Sequence, residues 1–366
     1  MNKSVRRVLM TGDAIGGVWT FNLELARALG DHGIEVVLAS MGGCPSGSQR
    51  ADAARISNLR LYHSEFKLEW MCDPWRDVEV ATDWLLAMEA RFAPDVIHLN
   101  SYGPGDAAWS APVVLTAHSC VKSWWRAVHA EEAPGTWKTY ADRAAAAVGR
   151  AWMVTAPTAF MLDSVERDYG PLRRGLVIPH GRSAAHFCAR QKEPIILSAG
   201  RLWDRAKNVE TLACIARSAG WPVCIAGSLQ DPEGSTRQFA GCRELGRLST
   251  TALADWFGRA SIYALPARYE PFGLTALEAA LSECALVLGD IPSLRETWDG
   301  AAVFVPPDDT RAWRKELQSL IADGARRASL AKLARARAAE FSDRRMAAAY
   351  AECYARAVQP AGAACG

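Results

Sequence analysis

Short aliphatic runs separated by longer stretches with apolar residues at helical spacing recur along the chain, and this alternation restricts the fold more than any other feature. Residues 7–11, 34–39, 95–99 and 113–116 are runs of strand length. Residues 20–29 carry a helical pattern that closes at Gly30 in the manner of a helix C-cap. Strands that alternate with helices predict parallel sheets covered on both faces. At 366 residues, half of them hydrophobic, the chain is long enough for two cores.

The pattern breaks near Ile178-Pro179-His180-Gly181, runs through a polar stretch, and restarts at residues 194–199. The same architecture then returns, with strands expected at 223–226, 261–265, 285–288 and 302–305 and helices at 250–257 and 274–281. We therefore expect domains at 1–185 and 186–342, and a C-terminal helical segment, 343–366, that crosses back to the first. Forty-two basic against forty acidic residues, a formal charge of +2, argue against nucleic acid as a partner. The ten cysteines are scattered singly with no C-x-x-C pair and read as small buried hydrophobes of a reducing cytoplasm. The start of the chain is polar and basic and runs into a strand too short for a signal peptide core or a membrane span, so the expected location is cytoplasmic.

Several segments carry chemistry. Gly12-Asp13-Ala14-Ile15-Gly16-Gly17 joins the first strand to the first helix, where backbone N–H groups and a helix N-terminus attract phosphate; a plain tight turn fits the same residues. Its spacing is not G-x-G-x-x-G, and the second strand lacks the acidic residue that would hold a nicotinamide cofactor's ribose. Asp13 suits an acceptor hydroxyl or a turn. Arg201 and Lys207 follow the first strand of the second half, suited to neutralising a pyrophosphate or, as a bland alternative, to facing solvent.

Glu270-Pro271-Phe272-Gly273-Leu274-Thr275-Ala276-Leu277-Glu278 runs from a strand into a helix. Its two carboxylates are poorly placed as an acid/base dyad but can reach different hydroxyls of one polyol. Thr275 and Glu278 also fit a capping box that needs no ligand. His118, after the 113–116 strand, is either a site residue or a structural histidine, and His98 is the weaker candidate. Eight of the fourteen tryptophans lie between Trp19 and Trp137. Aromatic faces suit sugars and apolar aglycones, and core packing accounts for most of them.

Taken in order, Gly16-Gly17-Val18, Thr116-Ala117-His118-Ser119, Ile178-Pro179-His180-Gly181, Gly200-Arg201-Leu202 with Lys207-Asn208, and the Glu-x7-Glu block resemble glycosyltransferase family four, retaining enzymes of GT-B fold with two Rossmann-like doubly wound domains facing a central cleft. The resemblance spans about residues 7–350. It implies that Arg201 and Lys207 bind the diphosphate of a nucleotide-sugar donor, with Gly16 and Gly17 approaching from the other domain. Glu278 would hold the ribose, Glu270 the donor sugar, and backbone N–H groups of Phe272, Gly273, Leu274 and Thr275 would contact sugar and phosphate. His118 would lie against the donor sugar near the reacting carbon.

The resemblance further implies retention of configuration and neither metal nor other cofactor; the donor is a UDP-sugar or a GDP-sugar, with UDP favoured. The acceptor hydroxyl, on a saccharide, lipid or small aglycone, is left open, its wall being expected in loops near 44–75 and 121–137. Peripheral membrane contact also stays open. An epimerase or phosphorylase of the same fold, and a non-catalytic sugar-nucleotide-binding protein, are the alternatives. The chain departs from the family in having His180 where Asn is usual and Glu283 where Gly is usual, the latter expected to disturb a helix C-cap.

Overall fold

The structure, a computed structural model, describes residues 4–359. The first three residues of the basic start and the last seven of the 343–366 segment, with Cys365, lie outside the described residues. The chain divides into two compact units. Unit one comprises residues 1–123, 132–181 and 343–366, and unit two residues 124–131 and 182–342.

In unit one the order is β1 (Arg7–Asp13), α1 (Gly17–Leu29), β2 (Glu35–Met41), α2 (Gly47–Ala54), β3 (Leu59–His63), α3 (Trp75–Phe92), β4 (Val96–Leu99), β5 (Val113–Thr116), α4 (Val121–His129), which runs on into unit two, α5 (Lys138–Arg150), β6 (Met153–Ala156), α6 (Ala159–Tyr169) and β7 (Gly175–Val177). These strands form one parallel sheet in the order β3-β2-β1-β4-β5-β6-β7. β4, β5 and β6 are buried at every residue, as a sheet covered on both faces requires. The stretch expected as acceptor loops near 44–75 in fact contains α2 and β3. The first helix ends at Leu29 with Gly30 as its C-cap, as expected; the chain then tightens into a 3-10 turn over Gly30–His32, and Gly33, at φ 68°, takes the left-handed position.

Unit two contains β8 (Glu193–Ala199), α7 (Val209–Ile215), β9 (Val223–Ala226), β10 (Arg243–Glu244), α8 (Thr250–Arg259), β11 (Ala260–Leu265), α9 (Leu274–Leu281), β12 (Ala285–Gly289), α10 (Pro292–Trp298), β13 (Val303–Val305), α11 (Thr310–Ala322) and α12 (Gly324–Ala338). Its parallel sheet runs β10-β9-β8-β11-β12-β13. Successive strand residues feed opposite cores: Leu197, Tyr263 and Leu286 pack with α8, α9 and α12, while Ile196, Ile262 and Val287 pack with α7 and α11.

The last helix, α13 (Asp343–Ala357), lies in unit one and buries Met346, Ala347, Tyr350, Cys353, Tyr354 and Ala357, a three-to-four-residue spacing that forms one apolar face against α1. The cysteine expectation needs correcting. Of nine described cysteines, Cys44, Cys72, Cys188 and Cys214 are exposed and only Cys120, Cys224, Cys284 and Cys353 are buried; the exposed four sit in loops or on helix faces that turn to solvent.

Candidate active site

Each sheet reverses its winding once, between β1 and β4 in unit one and between β8 and β11 in unit two. At such a switch point the connecting loops leave in opposite directions and open a crevice at the carboxyl ends of the strands. The residues singled out in the sequence follow strand ends in each unit: in unit one Asp13 to Gly17 after β1 and His118 after β5, and in unit two Arg201 and Lys207 after β8 and Glu270 to Thr275 after β11.

In unit two, Gly227 lets the loop after β8 pass close, since a Cβ there would meet the Gly200 carbonyl oxygen at 1.8 Å. Arg201 Nη2 lies 2.9 Å from Asp204 Oδ2, and its guanidinium stands 5.5 Å from the Trp203 ring. The other oxygen of Asp204 accepts from Ala206 N at 2.9 Å and from the Trp124 indole N–H at 3.1 Å. Burial pushes the Asp204 carboxyl up, but the charges of Arg201 and Lys207 and these hydrogen bonds outweigh it and hold the carboxyl below its ordinary range. Asp204 therefore stays ionised and tethers Arg201.

Lys207 Nζ lies 2.5 Å from Glu270 Oε2. Glu270 Oε1 accepts from Gly273 N at 3.1 Å, which folds the loop over the start of α9. Gly273 is the N-cap of α9 at φ 89°, a conformation that favours glycine, so the free N–H groups of the first turn converge at the end of β11. The anticipated capping box between Thr275 and Glu278 does not form. The helix begins at Leu274 with Gly273 as its N-cap, Thr275 Oγ1 accepts from the Tyr263 hydroxyl at 2.6 Å, and Glu278 Oε1 lies 2.9 Å from Arg182 Nε. Phe272 is buried and turns its ring into the core against Phe341, centroids 5.5 Å apart. Cations, carboxylates and a helix N-terminus so placed suit a ligand with both phosphate and hydroxyl groups.

In unit one, Asp13 Oδ1 accepts from Ile15 N at 2.8 Å and from Gly16 N at 3.1 Å, so this oxygen closes the turn. Gly17 opens α1. His118 Nε2 lies 2.7 Å from Asn100 Oδ1 and its Nδ1 lies 3.2 Å from His180 Nε2. The Phe21 ring packs against both histidines at centroid distances of 4.7 Å. Burial, and secondarily the His180 charge, hold His118 well below the ordinary histidine value, and burial takes His180 to about 3. His98 is wholly buried, bonded to Tyr354 and Thr116, and is part of the core.

Asn100, Asp204 and Arg182 escaped the sequence reading. Asn100 had a detectable signal, a polar residue closing the strand beside the switch point. Arg182 and Glu278 stand far apart in sequence, and no local pattern links them. Among the described residues no group of three or more His, Cys, Asp or Glu side chains is placed to hold a metal ion, and no helix is long and apolar enough to cross a membrane.

Two doubly wound parallel sheets are the architecture of the GT-B class, and solved structures of that class share the fold. Sucrose-phosphate synthase from Thermosynechococcus elongatus aligns over 96% of this chain and 98% of its own at TM-score 0.78 and 19% identity. HepE of Anabaena, in complex with UDP-glucose, aligns over 96% and 99% at TM-score 0.76 and 14% identity. The D-inositol 3-phosphate glycosyltransferase of Xylanimonas cellulosilytica is 28% identical over 95% of this chain and 93% of its own. Residues 15–185 match Glycosyltransferase Family 4 and residues 193–323 match Glycosyl transferases group 1. The chain belongs to glycosyltransferase family 4.

Proposed function

We propose that the protein transfers a hexose from UDP-sugar to an acceptor hydroxyl with retention of configuration and without a metal ion. The carrying observation is in unit two: Lys207 pairs with Glu270, whose other oxygen accepts from Gly273 N at the start of α9, while Asp204 holds Arg201 on the loop that also carries Lys207. Arg201 and Lys207 bind the diphosphate and stabilise the charge that develops as it departs. Glu270 and the backbone N–H groups of residues 272–275 hold the donor sugar, and Glu278 the ribose. Gly16 and Gly17 form a turn suited to phosphate, and His118 is assigned to a hydroxyl of the transferred sugar. The bond from the anomeric carbon to the phosphate oxygen breaks, the acceptor oxygen bonds to that carbon on the same face, and its proton passes to the leaving phosphate. The UDP-glucose in the HepE complex supports the choice of donor.

The test is titration calorimetry with UDP-glucose and GDP-mannose, followed by product analysis over a panel of acceptors in the presence of EDTA. We expect UDP-glucose to bind more tightly, Lys207→Ala and Glu270→Ala each to cost at least about 100-fold in kcat/KM, or about 2.7 kcal/mol, and the product to keep the donor's anomeric configuration. Inverted product, or activity that EDTA abolishes, would refute the mechanism.

A further inference from the structure

The orientation of Asn100 is fixed by three contacts within unit one. Its backbone N–H donates to Thr11 Oγ1 at 2.8 Å, and its Nδ2 donates both to the Thr11 carbonyl at 2.7 Å and to Asn22 Oδ1 at 2.9 Å. Asn22 is itself oriented, because its Nδ2 donates to the same Thr11 carbonyl at 3.3 Å. Turning the Asn100 amide over would set its oxygen against two acceptors, so Oδ1 is the atom that faces His118.

Oδ1 can only accept. His118 Nε2, 2.7 Å away, must therefore carry the hydrogen. In the neutral imidazole that leaves a lone pair on Nδ1, and His180 Nε2, 3.2 Å from it, must be the donor. A hydrogen-bonded chain of fixed polarity results, running from His180 through His118 and Asn100 to the carbonyl of β1.

We propose that Asn100 is a positioning residue that holds His118 as the Nε2–H tautomer, so that His118 meets a substrate hydroxyl as a hydrogen-bond acceptor through Nδ1, with His180 as the donor that the hydroxyl displaces. Phe21, packed on both rings, keeps them from rotating out of this arrangement. The proposal rests on the assignment of His118 to a sugar hydroxyl.

The full-length protein, labelled with 15N at histidine, reads the tautomer directly from long-range 1H–15N correlations at pH 7.5, with His118→Gln identifying the resonances of His118. The wild type should show Nε2–H. Asn100→Ala should convert His118 to Nδ1–H, which can then donate to His180 Nε2. It should also lower kcat at least about tenfold while the donor KM stays within about threefold, since the loss falls on an interaction made in the transition state. A wild-type His118 that is Nδ1–H or doubly protonated overturns the proposal, as does an Asn100→Ala protein with unchanged tautomer and kcat. Should Asn100→Ala fail to fold, the wild-type spectrum decides. Were the wild type to transfer no sugar, the proposed function would fail while the tautomer measurement still judged the role of Asn100.

Discussion

Glu278 and Arg182 form an ion pair, Oε1 to Nε at 2.9 Å, with side chains only 8% and 3% exposed. A charge so buried that loses its partner keeps its desolvation cost without the compensating attraction. Arg182→Ala and Glu278→Ala should each lower stability by about 3–5 kcal/mol, measured by chemical denaturation. Glu278→Ala should in addition weaken uridine binding, whereas Arg182→Ala should leave it weakened far less once measured well below the melting temperature. Equal effects on uridine binding would reduce Glu278 to a structural role.

Asp204 holds Arg201 by one carboxylate oxygen and is itself held by Ala206 N and the Trp124 indole through the other. Asp204→Asn keeps the shape but removes the charge that tethers the guanidinium. UDP affinity should fall about tenfold, close to 1.4 kcal/mol, with uridine affinity unchanged, because only the diphosphate meets Arg201. Titration calorimetry with the two ligands separates these outcomes, and a parallel loss for uridine would sink the idea.

The ends of strands were readable in the sequence because apolar runs such as Val113–Thr116 and Ala260–Leu265 give way within a few residues to His118 and to Arg268 and Glu270, and the ordered motifs then singled out His118 and Glu270. β3 was missed since Leu59-Arg60-Leu61-Tyr62-His63 has no fully buried residue and its pattern is that of an edge strand. The capping box was misread for a local reason. A glycine at positive φ starts α9 two residues before a threonine cap would, and the backbone angle is not written in the side chains. Partners joined across the fold, Arg182 with Glu278 and Asn100 with His118, become visible only when the sheet brings strand ends together.

Glu283 is the family departure that the structure explains in part. It sits just past α9 at φ 60°, where Cys284 N donates to the Ala279 carbonyl and Glu283 N to that of Ala280, the pair of bonds that closes a helix at a left-handed residue. A side chain there costs about 1–2 kcal/mol, and the half-exposed contact of Glu283 with Arg335 at 3.1 Å offsets little of it. Glu283→Gly should therefore be more stable than Glu283→Ala by about 1 kcal/mol, although both lose the ion pair. Equal melting temperatures for the two would show that the left-handed geometry is not strained.

Acid should weaken unit one through its buried histidines. Burial, with a smaller contribution from the His118 charge, lowers His98 to about 3, and burial lowers His180 to about 3, against an ordinary value of 6.5. The unfolded chain thus binds protons that the folded chain refuses. The neutral histidines stabilise fully above pH 6.5, and that stability is lost as pH falls from 6.5 toward 3. Each costs about 1 kcal/mol per pH unit in that window, and His118, shifted the same way, adds to the slope. The melting temperature should accordingly fall between pH 7.5 and 5.5, before carboxylates such as Asp204, whose stabilisation is lost only near and below their ordinary range, contribute. His98→Asn should lower stability at pH 7.5, because Tyr354 and Thr116 lose a ring partner, yet show a shallower decline toward pH 5.5. A decline as steep as the wild type's would place the acid sensitivity elsewhere.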